Sequence, residues 1–324
     1  MRASTACRLL LPVLFACAAG WAAAQGYPVR PVRIIAPNPP GGGFDFVARV
    51  VAPELSERLG QPFVVENRTG AGTLIGTEAA AKAPPDGYTL LVGGFSNLVA
   101  NTGLYRQLSY DPLGDFVPAG MVVSYAYVLV SRKDLPQRSL REIVEFARAN
   151  PGKLSYASGG VGTGQQIASA VLAHFAGVKI VHVPYRGAQA AYQDLLSGRV
   201  DLFFDNAATA KAYIDDGRVK AFAVSSGTRF PGLPDLPTVG ETGVASMELE
   251  SWFGIFGRSG TPVPVIERLR AEMAKAVQSP GFVARFEKSG GRMLRMSPAE
   301  ADAFVRAENA KWSRLIREAG ITAE

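Results

Sequence analysis

The chain has 324 residues, 48% of them hydrophobic and 19% charged, and its 35 Gly and 22 Pro show no collagen-like period. These proportions exclude a disordered chain, and at about 150 residues per domain two domains are the prior. The formal net charge is +6 with no Lys/Arg cluster interleaved with aromatics, which argues against nucleic acid as a partner and suits a small anion.

The chain opens with Arg2 and Arg8, a short apolar run from Leu9 to Ala16, and Ala22-Ala23-Ala24 before Gln25. That pattern predicts a secretory signal peptide over 1–24, cleaved after an A-x-A site. The run is too short for a membrane anchor. Leu14-Phe15-Ala16-Cys17 is a looser match to a lipoprotein site, with Phe15 bulky for that processing, so lipidation of Cys17 stays open. Both cysteines, Cys7 and Cys17, lie in this leader. The mature chain is therefore expected to have no disulfide or thiolate metal site, and to carry a net charge lower by two.

From there strands and helices alternate. Val32-Arg33-Ile34-Ile35-Ala36 reads as a strand, followed by Pro37-Asn38-Pro39-Pro40-Gly41-Gly42-Gly43 and a helix over 44–59 in which Pro53 predicts a kink or an early break. Strands over 63–66 and 88–92 flank an alanine-rich helix over 74–83. This βαβαβ order implies a parallel sheet. A second set follows: a strand over 127–130, a helix opened by the capping box Ser139-Leu140-Arg141-Glu142, and strands over 154–157, 180–183, 200–204 and 221–224. Helices run from 164 to about 175 and over 188–196, the latter ending at Gly198. The last third reads as helical. Thr261 is expected to cap one helix with Pro262 at its first position, with Ile266, Leu269, Met273 and Val277 as its stripe. Ser297-Pro298-Ala299-Glu300 boxes another that carries Phe304, Trp312, Leu315 and Ile316. The proline-punctuated connector after Arg229 makes the β-rich middle look inserted: 25–124 plus 226–324 as one domain and 125–225 as the other.

Glycine-rich loops follow strands at 41–43, 70–76 and 159–164. Glycine permits positive φ and close approach, and the helix start behind such a loop presents free N–H groups, an anion cradle for phosphate or carboxylate. The first and third loops read as binding loops, while the 70–76 loop reads first as a structural turn. Asp45, just after the first loop, and Asp205, at the end of Leu202-Phe203-Phe204, are the carboxylates of interest. As a cap and a turn residue they need no ligand; as site residues, Asp205 could accept from a ligand amine or hydroxyl. Arg186 could meet an anion bidentately or serve as a solvated loop arginine.

Competing chemistries have weaker signals. Gly70-x-Gly72-x-x-x-Gly76 is one residue longer than a dinucleotide fingerprint and lacks the later acid, and no P-loop or G-x-S-x-G elbow occurs. His174 and His182 sit in apolar patterns and read as packing residues, and no paired-His motif supports a metal.

Six segments carry a resemblance: Tyr27-Pro28-Val29-Arg30-Pro31-Val32-Arg33-Ile34-Ile35, Pro40-Gly41-Gly42-Gly43-Phe44-Asp45, the stretch from Gly60-Gln61-Pro62 to Asn67-Arg68, Pro85-Asp86-Gly87-Tyr88-Thr89-Leu90-Leu91, Val181-His182-Val183-Pro184-Tyr185-Arg186-Gly187, and Gly260-Thr261-Pro262. In this order, behind a leader, the chain resembles the Bug / tripartite tricarboxylate transporter substrate-binding proteins (TctC-like). The resemblance implies an α/β type II periplasmic binding protein, a Venus flytrap of two doubly wound α/β domains joined by a two-strand hinge. It implies a monomeric periplasmic receptor without catalysis or cofactor, which closes on a small carboxylate and delivers it to TctA/TctB-like membrane transporter subunits. A ligand-presenting sensor module, or a dinucleotide-dependent enzyme, are the alternatives. The ligand set it implies is Gly41, Gly42, Phe44 and Asp45 on one side, with Ser158, Gly159, Gly162, Thr163 and Asp205 on the other and Arg186 and Gly187 as a further pair. Ser96 and Asn97, after the third strand, complete the candidate set with Gln166, which stands where many relatives carry His and bears on ligand choice.

Overall fold

The structure, a computed structural model, describes residues 26–323. The expected leader over 1–24, with both cysteines, lies outside the described residues. β1 (Val32–Ala36), α1 (Gly43–Leu59), β2 (Phe63–Asn67), α2 (Leu74–Ala81) and β3 (Thr89–Gly94) form the first unit, with β1 between β2 and β3 and parallel to both. Val32, Ile34, Ile35 and Ala36 are all buried, as a parallel strand covered on both faces requires. α1 buries Val47, Val50, Val51 and Leu55 and passes Pro53 without the expected break. Pro53 lies on the exposed side, so the Arg49 carbonyl that it cannot bond has water available, while the opposite stripe holds the helix to the sheet.

A π-helical turn (Ser96–Ala100) and α3 (Asn101–Leu104) lead into β4 (Phe116–Arg132), a 17-residue strand where a short one over 127–130 was expected. The chain continues through α4 (Leu140–Ala149), β5 (Ser155–Ser158), α5 (Gly164–Ala176), β6 (Val181–Pro184), α6 (Ala188–Leu196), β7 (Leu202–Asn206), α7 (Ala207–Asp215) and β8 (Val219–Val224). The last third is not all helical: β9 (Glu250–Arg258) precedes α8 (Val263–Ala276), α9 (Pro280–Lys288), the short β10 (Arg292–Met293) and α10 (Pro298–Glu318).

The sheet runs β2-β1-β3-β9-β4-β7-β5-β6, with β8 and β10 also on β4. β4 joins its two parts. Residues 116–126 pair with β9, and 127–131 pair with β7, all antiparallel. The returning chain crosses beside it at Ser225, whose amide donates to the Tyr127 carbonyl at 2.8 Å and whose hydroxyl accepts from the Tyr127 amide at 2.9 Å. That hydroxyl also donates to the Leu249 carbonyl.

The helix ends test the cap readings. The Ser297 box is complete. At Ser139 only half forms: Ser139 Oγ accepts from the Glu142 amide, while Glu142 accepts from Arg138 rather than from Ser139. Thr261 does not cap α8, because its hydroxyl donates to the Arg258 carbonyl at 2.7 Å and Pro262 takes the cap position.

Candidate functional site

Where the two parts of the sheet meet, loops after β1, β2, β5 and β6, with the end of β7, enclose a cavity of about 880 Å³. These are the carboxyl ends of parallel strands, where open α/β sheets bind ligands. Gly41, Gly42, Phe44, Ser96, Gly159, Thr163, Arg186, Gly187 and Asp205 lie on its wall. Asp45, Asn97, Ser158, Gly162 and Gln166 do not, and each is engaged behind the wall.

In the first loop Gly41 has φ +83° and its amide donates to Asp45 Oδ2 at 2.9 Å. Arg49 and Asn67 donate to the same carboxylate, and Asn38 Oδ1 accepts from the Asp45 amide. Burial raises the Asp45 pKa, but these donors outweigh it and hold the carboxyl below its ordinary range. Asp45 thus braces the loop. The amides of Gly43 and Phe44, first in α1, have no intrahelical acceptor and belong to wall residues. A Cβ on Gly42 would fall 1.9 Å from Asn38 Nδ2, so a side chain there would have to displace the Asn38 carboxamide that accepts from the Asp45 amide.

The third loop departs from the expected row of free amides. Gly159 donates to Gln165 Oε1 at 2.6 Å, Gly160 to Ser158 Oγ at 3.2 Å, Gly162 to Gln166 Oε1 at 2.8 Å and Gly164 to Ser96 Oγ at 3.2 Å. Gln165, missed in the sequence, is the glutamine on the wall. Gln166 is a buried cap, its carboxamide turned back to Gly162. Successive helix residues point about 100° apart, so the phase of α5 was the available signal. Ser158 bonds His182 Nε2 at 2.7 Å, and that imidazole stacks on Tyr156 at 4.9 Å. Burial lowers the His182 pKa. This is a packing histidine, as expected. Asn97 accepts from the Gly94 amide and donates to Thr77 and Val92, shaping the turn after β3.

Asp205 is fully buried yet borders the cavity. Its Oδ1 accepts from Gln165 Nε2 at 2.5 Å, and Oδ2 has no well-formed hydrogen bond, nor has the nearby Tyr192 hydroxyl. Burial pushes the carboxyl up to about 7, against the lowering effect of its hydrogen bonds. The Tyr192 hydroxyl interacts with this carboxyl, and Oδ2 itself is closed off from the cavity.

The loop at 69–73, expected as a turn, also lines the cavity. Gly70, Ala71, Gly72 and Thr73 all have positive φ, +132°, +45°, +70° and +147°. The Thr73 carbonyl accepts from Thr77 Oγ1, and its hydroxyl accepts from Asn101 Nδ2. A Cβ on Gly72 would sit 2.5 Å from the Val161 carbonyl of the facing loop, so the two parts touch backbone to backbone. Among the described residues no cluster of His, Cys, Asp or Glu could hold a metal ion, and no helix is long and apolar enough to cross a membrane.

A family profile described as "Tripartite tricarboxylate transporter family receptor" matches residues 47–321. The chain is 39% identical over 295 residues to the "UPF0065 protein in tcbD-tcbE intergenic region" of Pseudomonas sp. (strain P51), covering 91% of this chain and 88% of that protein. It is 35% identical over 318 residues to "Protein BugT" of Bordetella pertussis, covering 97% and 98%. Among solved structures, "R. palustris Rpa4515 with adipate" superimposes with a TM-score of 0.86 at 33% identity, covering 91% of this chain and 99% of that one. "MatC (Rpa3494) from Rhodopseudomonas palustris with bound malate" gives 0.84 at 31%, covering 90% and 100%.

Proposed function

This chain belongs to the tripartite tricarboxylate transporter receptors, periplasmic solute-binding proteins of the Venus-flytrap α/β fold rather than enzymes, and from that premise we propose that it captures a small dicarboxylate in the cleft and delivers it to TctA/TctB-like membrane subunits. The observation that carries the reading is the start of α1. The Gly43 and Phe44 amides lack intrahelical acceptors on one wall, across from the buried Asp205 carboxyl on the other. Relatives of the same fold hold adipate and malate.

In this reading the leader over 1–24 is cleaved on export and the mature chain works as a monomer. The hinge lies at 124–125 and 225–226, where β4 and the returning chain cross. Ligand contacts come from Gly41, Gly42, Phe44, Ser96, Gly159, Thr163, Arg186, Gly187 and Asp205. Asp45, Asn97, Ser158, Gly162 and Gln166 keep those loops in shape. Closure strips water from the ligand, so every buried oxygen needs a donor, and amides at a helix start supply donors without a full charge to desolvate. The ligand favours the closed state only through contacts that the open state lacks.

The test is a thermal-shift screen of the mature protein with C4–C6 dicarboxylates, adipate and malate included, beside nicotinamide dinucleotides. A melting temperature raised by a dicarboxylate and unmoved by the dinucleotides is expected. The reverse pattern removes the reading. Delivery is read separately, as lost uptake of the labelled acid in a strain lacking the protein.

A further inference from the structure

On the cleft wall hydrogen bonds run from Gly159 through Gln165 to Asp205. Gln165 Oε1 takes the Gly159 amide at 2.6 Å, and its Nε2 donates to Asp205 Oδ1 at 2.5 Å. The carboxamide oxygen is planar, sp² and about the size of a carboxylate oxygen, and it occupies an amide that the strand-end loop would otherwise offer to an anion. Beside it the Asp205 carboxyl is fully buried, with the Tyr192 hydroxyl interacting with it from behind, so the Gln165 carboxamide is what ties that carboxyl to the wall of the cleft.

We infer that Gln165 is a specificity-determining residue whose carboxamide stands in for one carboxylate oxygen of the ligand, so that Gln165 and an entering acid compete for the Gly159 amide. The inference rests on the carboxylate reading of the cleft. Competition favours anions. A carboxylate makes a charge-assisted bond to the amide and displaces a neutral carboxamide, whereas a neutral carbonyl exchanges one ordinary bond for another. Glutamine suits the place where its charged relatives do not. Glutamate would be a permanent internal anion facing Asp205, and lysine would have no acceptor for the Gly159 amide. Gln166, one residue on, makes the same kind of bond to Gly162 but sits off the wall, so no ligand competes with it.

The experiment measures the Kd of adipate and malate by calorimetry for the mature wild type, Gln165→Ala and Gln165→Ser, both too short to reach Gly159, and Gln166→Ala. Both Gln165 variants are expected to bind the better of the two acids about three- to tenfold tighter, the worth of one neutral hydrogen bond no longer displaced. Gln166→Ala is expected not to tighten. Melting curves of each variant verify folding, and either Gln165 variant suffices if the other does not fold. Unchanged or weaker binding in the folded Gln165 variants overturns the inference, since Gln165 would then be a ligand contact or a clip for Asp205. Wild type that binds neither acid counts against the carboxylate reading itself, a distinguishable failure.

Discussion

Asp45 and Asp205 carry the same side chain on opposite walls of the cleft, and their surroundings drive them apart. Asp45 accepts from Gly41, Arg49 and Asn67 and is held ionised. Asp45→Ala removes the charged acceptor of three hydrogen bonds, from Gly41, Arg49 and Asn67, so stability should fall by roughly 1.5–3 kcal/mol in urea unfolding at pH 7. Because the folded pKa lies below the unfolded value, that contribution is complete above about pH 4 and lost as pH drops through the folded value. The gap between wild type and variant should therefore close in strong acid. Asp205 has the opposite sign. Its carboxyl is raised from 3.8 to about 7, so the folded state holds the proton more tightly. The contribution is present below about pH 4 and lost as pH rises through 7, and at ~1.4 kcal/mol per unit it is capped near 4 kcal/mol. Asp205→Asn should flatten the stability profile between pH 4 and 8, and an unchanged slope there would mean that Asp205 is not the group responsible. Both acids were legible in the sequence as residues at loop ends. Their division into brace and wall was not, because Asn67 and Gln165, the partners that decide it, come from other elements.

At the scale of elements, the loop at 69–73 shows what patterning conceals. Ala71 and Thr73 take positive φ at +45° and +147°, although neither residue favours it. The strain is held by Thr77, Asn101 and the facing loop, and no local signal reports it. Gly72→Ala meets two costs, a left-handed alanine of ~1–2 kcal/mol and a Cβ 2.5 Å from the Val161 carbonyl. Gly60→Ala, at the same φ of +70° but in open space, meets only the first. A larger loss in melting temperature is expected for Gly72→Ala than for Gly60→Ala, with adipate affinity reduced more than tenfold in Gly72→Ala alone; equal affinities would show that closure does not press these loops together. The βαβαβ unit was readable because its apolar runs are short and cleanly bounded. β4 was not readable as one strand, since Pro118 and Gly120 interrupt the run at a register shift. β9 hid for a related reason. Gly254 and Gly257 break its pattern, and Gly254 is there because a Cβ would fall 2.9 Å from the Gly120 carbonyl. α7 follows β7 without a turn residue to announce it.

Across the whole molecule the two parts already touch on one side of the cleft, at Ser96–Gly164 and at Gly72–Val161. On another side they stand apart around a second cavity of about 470 Å³, between the first glycine loop with Ser289 and, across from it, Ala212 and Tyr213 of α7 with Arg218 just beyond it. With β4 and the Ser225 crossing as the tether, rotation is constrained where the parts are in contact and free where they are separated. Closure on a ligand should therefore bring α7 toward the end of α9, a shortening that both cavities would register. The two cysteines lie at positions 7 and 17, so a mature chain cut after residue 24 offers a clean background for spin labels. Ala212→Cys on α7 and Lys288→Cys at the end of α9 are both exposed sites. Double electron–electron resonance on the labelled pair should give a shorter and narrower distance distribution with saturating adipate or malate than without. A second pair, on Glu145 of α4 and Gln193 of α6, both exposed and both within the second part, should not move. If the first distance holds constant while calorimetry shows the acid bound, the cleft traps its ligand without hinge motion, and the ligand must then be recognised at the membrane by a surface other than a closed lip.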